Sequence, residues 1–425
     1  MSRRRTYFKT VLDNGIRVVA EQIPDVKSVS LGVWVGVGSR DEEDRLAGIS
    51  HFIEHMFFKG TRRRSAGRIA REIDGLGGEL NAFTSRENTT FYVKVLDEHL
   101  NRAVDLMGDI FHHSLFDSSE IEKEKQVILQ EIKMAEDDPE DLVHELHTQN
   151  VWKGNPLGRS ILGEAKTVAD MTRSDLMSHL RRSYSPDRIV IAAAGNFGTS
   201  GLFRQFDRVF GRFQARGAWN HRMRPTERNG RILIRKKALE QVHVCIGMKG
   251  LPLNHPDRYG IQALNALLGG GMSSRLFQEV REKHGLVYTI YSHASGFHDA
   301  GLFTIYAATS KAAVNRLLKV NLRELARLRN EGVGRAELDR TLAQMKGHIM
   351  LGLESTDSRM GRLAKDEIYF GRHYSLRQTL SGIEKITCRQ IHRLARELLD
   401  PKELSLTILG PVRSVPNGIR SVFSS

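Results

Sequence analysis

Gly48-Ile-Ser-His-Phe-Ile-Glu-His-Met-Phe-Phe-Lys-Gly60 decides how this chain is read. Wound as a helix, at about 100° per residue, it divides into two faces. Ile49, Phe52, Ile53, Met56 and Phe57 form one side, suited to a core. His51, Glu54 and His55 form the other. Histidines four apart on one helical face reach a single metal ion, and Glu54 stands where it takes a proton from water held there. Zinc is the usual ion for two imidazoles and a carboxylate, and three protein ligands leave its fourth position open.

His-x-x-Glu-His is the inverted order of a zinc-hydrolase motif, with the same groups on one face. A third ligand is still required. Asp117-Ser-Ser-Glu-Ile-Glu-Lys-Glu-Lys-Gln-Val-Ile-Leu-Gln-Glu-Ile-Lys-Met-Ala-Glu136 offers one. It opens with capping residues and an acidic first turn, and it is free of Gly and Pro until Pro139. Ile121, Val127, Ile128, Ile132 and Met134 read as its apolar stripe, with Glu124 and Glu131 inside it. A carboxylate on a buried face needs a cation or a hydrogen-bond partner. Zinc answers that need for Glu131, and Glu124 is placed to orient a histidine from behind.

With these residues in place the chain resembles the pitrilysin-type (inverzincin) zinc peptidases, in the subgroup that includes the catalytic subunit of mitochondrial processing peptidase and its bacterial relatives. The resemblance runs through Leu12-Asp-Asn-Gly-Ile-Arg-Val-Val19, Gly32-Val-Trp-Val-Gly-Val-Gly-Ser-Arg-Asp41, the histidine helix, Asn81-Ala-Phe-Thr-Ser-Arg-Glu87, the Glu131 helix, Asn155-Pro-Leu-Gly-Arg-Ser-Ile-Leu-Gly163 and residues 281–288. It implies a metalloendopeptidase with one zinc per chain, held by His51, His55 and Glu131, with Glu54 as general base and Glu124 orienting a ligand. It also implies that Arg281 and Tyr288 bind the substrate backbone and support the oxyanion, and that Asn81, Ala82 and Phe83 lie on an edge strand that pairs with extended peptide. Short members of the family assemble as homodimers, or as heterodimers with a related subunit. Non-catalytic core and regulatory subunits are the alternative, but they lose part of the metal motif, and this chain keeps every element.

The chain has 425 residues, 27% charged and 40% hydrophobic, as expected of an ordinary globular protein with two domains. Its two cysteines, Cys245 and Cys388, are too few for a disulfide framework and suit a reducing compartment. The net charge of +14 raises a nucleic-acid reading, but the basic residues are scattered and no RNA-binding or zinc-finger pattern appears. No specific nucleic-acid partner is expected. Arg3-Arg-Arg5 leads into strand pattern with no apolar run after it, so neither export nor a membrane span is expected, and the location inferred is cytoplasmic.

Strand pattern covers residues 18–22, 28–38, 79–84 and 89–96, and helical pattern covers 66–74 and 98–112, an α+β arrangement. Arg281-Glu-Lys-His-Gly-Leu286 repeats Arg71-Glu-Ile-Asp-Gly-Leu76. Extending that alignment backward lays Ile261, Leu264 and Asn265 on His51, Glu54 and His55, so the second copy lacks the metal groups. Together with the resemblance, this predicts two homologous α/β-sandwich domains, mostly antiparallel sheet packed with helices, as duplicated halves of a clamshell. A linker over residues 214–230 separates a catalytic domain, 1–220, from a metal-free domain, 221–425, that completes the cavity. His112, His113, His144 and His147 are read as structural or exposed.

Overall fold

The computed structural model describes residues 6–214, 222–225, 231–415 and 417–420. The boundary expected near residue 220, most of the expected linker and Arg3–Arg5 lie outside the described residues.

In the first half of the chain the strands are β1 (Thr6–Val11), β2 (Arg17–Gln22), β3 (Ser28–Val35), β4 (Glu79–Thr84), β5 (Thr89–Leu96) and β6 (Ile189–Gly195). In the second they are β7 (Ile232–Lys236), β8 (Val242–Lys249), β9 (Val287–Gly296), β10 (Gly301–Thr309) and β11 (Ser405–Gly410). The helices of the first half are α1 (Ile49–Phe57), α2 (Ala66–Gly75), α3 (Leu100–His113), α4 (Ser118–Asp137), α5 (Pro139–Val151), α6 (Ala165–Asp170), α7 (Arg173–Ser183) and α8 (Thr199–Phe210). Those of the second are α9 (Arg258–Gly269), α10 (Val314–Glu331), α11 (Arg335–Gly352), α12 (Thr356–Phe370), α13 (Leu376–Glu384), α14 (Cys388–Leu398) and α15 (Asn417–Arg420).

The strands make two sheets, ordered β1-β2-β6-β3-β5-β4 and β7-β11-β8-β10-β9. β2 runs parallel to β6 and β7 parallel to β11, and every other pair is antiparallel. From β2 onward the first sheet therefore has the order and directions of the second. The α+β class and the duplication both hold.

Two compact units follow, but a single cut does not divide them. The described residues of 1–134, 159–222 and 352–373 form one, and those of 135–158, 223–351 and 374–425 form the other. Each half of the chain thus gives one helix to the sheet of the other half, α5 to the second unit and α12 to the first. The domain ranges read from the sequence differ here, because amphipathic patterning shows that a helix covers a sheet without showing which sheet.

Alternation along the strands explains why each sheet needs cover on both faces. In the first unit Val18, Ala20, Leu31, Val33, Ile191 and Ala193 face a core shared with α1 and α3, while Val19, Trp34, Val190, Ala192 and Ala194 face Met360, Leu363 and Ala364 of α12. In the second, Val244, Ile246, Phe303 and Ile305 point to the main core, and Cys245, Tyr306 and Leu409 to Leu142, Val143 and Leu146 of α5. Among the described residues no helix is long and apolar enough to cross a membrane.

His147 of α5 is fully buried against the second sheet, with Nδ1 3.0 Å from Thr407 Oγ1. A Cβ on Gly247 would lie 2.2 Å from His147 Nε2, so only glycine admits the ring there. Burial pushes His147 down to about 3 and His179 of α7 down to about 4, so both are neutral in the fold. The unfolded chain takes up protons at these positions below about pH 6.5, and the native chain does not until the pH is far lower. Stability should therefore fall as pH drops, by about 2 kcal/mol for each of these two histidines between about pH 7.5 and 5. Urea unfolding at both pH values measures this, and an unchanged midpoint would contradict it.

Candidate metal centre

Helix α1 begins at Gly48, whose φ of +94° suits glycine. Buried Glu42 closes the helix start, its two carboxylate oxygens accepting from the Gly48 and Ser50 amides at 2.8 Å each. Burial pushes this carboxyl up to about 8, while the two amides and Arg159 pull the other way. The apolar face then packs as its spacing dictates, with Ile49, Phe52, Ile53, Met56 and Phe57 all buried. That packing turns His51 and His55 toward Glu131 of α4 and Glu54 toward Thr84 of β4.

Helix α4 is capped by Asp117, whose Oδ1 accepts from the Ser119 amide at 2.8 Å. The structure corrects the reading of its faces. The buried row is Ile121, Glu124, Lys125 and Ile128. Val127, Glu131 and Met134 form a neighbouring row that is open, with Met134 70% exposed and the Glu131 side chain 37% exposed. Burial alone therefore asks for a partner at Glu124 but not at Glu131.

Glu124 has two partners. Its Oε2 accepts from His55 Nδ1 at 3.0 Å, and its Oε1 meets Lys59 Nζ at 2.5 Å. A proton on Nδ1 leaves a lone pair on His55 Nε2. That atom lies 3.3 Å from His51 Nε2 and 3.5 Å from Glu131 Oε2, and His51 Nε2 lies 3.6 Å from the same carboxylate oxygen. Burial, with His55 adding to it, pushes His51 down to about 3 and keeps its ring neutral. His51 Nδ1 is buried without a hydrogen bond, so packing rather than a polar partner orients that ring.

Two ligands at about 2.0–2.1 Å from a tetrahedral zinc stand about 3.4 Å apart, so the three separations fit zinc. Among the described residues this is the one cluster of at least three such side chains that meets metal-holding geometry. Glu54 lies beside it, its Oε2 accepting from Thr84 Oγ1 at 2.5 Å. Burial raises the Glu54 pKa, the Thr84 hydroxyl and His55 lower it, and Glu131 raises it again.

Asn81, Ala82 and Phe83 lie on β4, the edge of the first sheet, which pairs with β5 along one side. Asn81 Oδ1 accepts from the Ala82 amide at 2.8 Å, and the Phe83 ring is 47% exposed. In the second unit, Arg281 belongs to a π-helical turn, Phe277–Lys283, and Tyr288 is the second residue of β9. The guanidinium carbon stacks 4.6 Å from the Phe277 ring centre and 5.2 Å from that of Tyr288, which is 78% exposed. On α9, Ile261 and Leu264 are buried, and Asn265 accepts from Ser292 Oγ through its side chain at 2.8 Å. The second copy of the helix is thus a packing element.

Sequence reasoning missed Glu42, Lys59 and Thr84, whose roles arise from contacts between separate elements. Only Thr84 carried a local signal, a polar residue in the inward register of a strand whose other inward members are Leu80 and Ala82.

Residues 17–165 match the family profile described as "Insulinase (Peptidase family M16)", and residues 170–345 match "Peptidase M16 inactive domain". A Bacillus subtilis protein named "Uncharacterized zinc protease YmxG" is 43% identical over 95% of this chain and 98% of its own. An uncharacterized zinc protease of Streptomyces coelicolor is 40% identical over 96% of this chain and 90% of its own. The crystal structure of a protease from Helicobacter pylori shares the fold with a TM-score of 0.91 at 22% identity, over 96% of this chain and all of that one. A Pseudomonas fluorescens structure described as a peptidase M16 inactive domain has a TM-score of 0.89 at 20% identity, over 97% and 100%.

Proposed function

The chain belongs to the insulinase family, peptidase family M16, and on that premise we propose that it is a zinc-dependent metalloendopeptidase that cuts extended peptides or unfolded segments. The observation that carries this reading is the convergence of one atom each from His51, His55 and Glu131 at 3.3–3.6 Å, with Glu54 alongside. One zinc ion per chain, held by these three, supplies Lewis acidity that makes water a nucleophile near neutral pH and polarises a peptide carbonyl. The remaining work falls to side chains and backbone. Glu54 takes a proton from the attacking water and delivers it to the leaving amine. Glu124 fixes the His55 ring and the nitrogen that carries its proton, a constraint typical of carboxylates behind a metal-binding imidazole. The open edge of β4 offers backbone donors and acceptors to an extended strand, which gives affinity with little demand on sequence. Arg281 and Tyr288, stacked with the guanidinium carbon 5.2 Å from the ring centre, are the pair that the family resemblance offers as oxyanion support, a role suited to a phenolic donor and a cation.

Zinc content measured with cleavage of an internally quenched peptide tests this reading. One zinc per chain is expected, with cleavage lost on chelation and restored by zinc. Zinc-loaded protein that cleaves none of a broad peptide set would overturn the enzyme reading. Protein that cleaves without zinc would overturn the cofactor.

A further inference from the structure

We infer that Thr84 is a positioning residue for Glu54, holding the carboxylate in the orientation needed for proton transfer; this rests on the peptidase reading above. Thr84 is the last residue of β4, opposite Thr89 of β5. Along β4 the odd-numbered residues Glu79, Asn81 and Phe83 are exposed, while Leu80, Ala82 and Thr84 turn inward. Leu80 and Ala82 pack on the core, and the third inward place holds a hydroxyl.

That hydroxyl lies 2.5 Å from Glu54 Oε2 and 3.5 Å from the Ser50 carbonyl oxygen. It has one proton to give. The carboxylate receives it, since hydrogen bonds from hydroxyl to carboxylate run to about 2.5–2.7 Å and are about twice as strong as neutral ones. Thr84 is the hydrogen-bond partner of Glu54 among the described residues. Without it, a side chain with three rotatable bonds has no hydrogen bond among the described residues to choose its rotamer.

The consequence is a division of labour between the two carboxylate oxygens. Oε2 is tied to the strand, so Oε1 is left to exchange protons and the plane of the group is set. Threonine suits the task because branching at Cβ restricts χ1, so the hydroxyl is presented from a stiff strand in few directions. Thr84 also joins the edge strand to the helix that carries the histidines, so a shift of β4 moves Glu54.

Thr84→Val keeps the shape and removes the donor, whereas Thr84→Ser keeps the donor and removes the methyl. The prediction is that Thr84→Val retains one zinc per chain and wild-type melting but loses about 10- to 100-fold in kcat, as misplacement of a reacting group by about 1 Å does. KM should stay within about twofold, since ground-state binding is untouched. Thr84→Ser should recover most of the lost kcat. Wild-type kcat in Thr84→Val, equal losses in both variants, or loss of zinc in Thr84→Val would each overturn the inference. Absence of cleavage by the wild-type chain would remove the peptidase reading itself, whereas normal wild-type cleavage with an unimpaired Thr84→Val removes the positioning role alone.

Discussion

Replacing Glu54 with glutamine is expected to leave zinc bound and to lower kcat for peptide cleavage by about 10²- to 10⁴-fold, the range associated with losing a general acid–base group. Zinc should remain because the three donor atoms belong to His51, His55 and Glu131, and none is changed. Orientation should also survive. The glutamine carbonyl oxygen still accepts from Thr84 Oγ1, which lies 2.5 Å from the native carboxylate. What disappears is the capacity to hold a proton, because an amide is too weak a base to take one from water near neutral pH. The variant thus separates a chemical role from a structural one. Zinc analysis, a melting curve and a quenched-peptide assay on the same preparation make the comparison. Turnover within a few-fold of wild type, with zinc in place, would take Glu54 out of the mechanism. Loss of zinc would instead give Glu54 a part in holding the ion or the helix.

The histidine helix is legible because every requirement on it is local. Two imidazoles and a carboxylate share a face at fixed spacing, and the five apolar residues of the opposite face bury as the helical period demands. The spans of β4 and β5 are legible for the same reason, their strand pattern being local. Glu131 is a different case. Its place in the cluster follows from the resemblance, whereas the argument from an apolar stripe is overturned by the exposure of Val127 and Met134. Glu131 stands three residues from Ile128 of the buried row and four from Val127 of the open one, and sequence periodicity does not show which row meets the core. Lys59 and Thr84 stay hidden because each acts on a carboxylate from another element, Glu124 and Glu54, and such pairings depend on tertiary contact. The exchanged helices are hidden for a related reason: Leu142, Val143 and Leu146 fit any apolar sheet face, as do Met360, Leu363 and Ala364.

That exchange sets the second large effect. A fragment ending at residue 222 keeps all three metal-cluster residues, the base and the whole six-stranded sheet, yet it should not fold cooperatively or hold zinc tightly. It lacks α12, which buries Met360, Leu363 and Ala364 against Val19, Trp34, Val190, Ala192 and Ala194. Each large apolar side chain transferred to water costs about 1.5–3 kcal/mol, so uncovering both sides of this contact costs on the order of 10 kcal/mol. That is comparable with the whole stability of a domain, about 5–15 kcal/mol. Polar partners go too. Arg359 pairs with Glu21 at 2.7 Å, Asp357 with Lys94 at 2.8 Å, and Thr356 with Ser30 at 2.7 Å, so the fragment leaves these sheet-side groups without them. The same fragment carries α5 with no second sheet to receive Leu142, Val143 and Leu146, which adds an apolar surface prone to association. Urea unfolding and zinc titration of the fragment are the measurements. Appending residues 352–373 through a flexible linker should restore a cooperative transition and tighter zinc binding. A fragment that unfolds cooperatively and binds zinc as tightly as the full chain would show that α12 is a dispensable cover and that the first half is a domain in its own right.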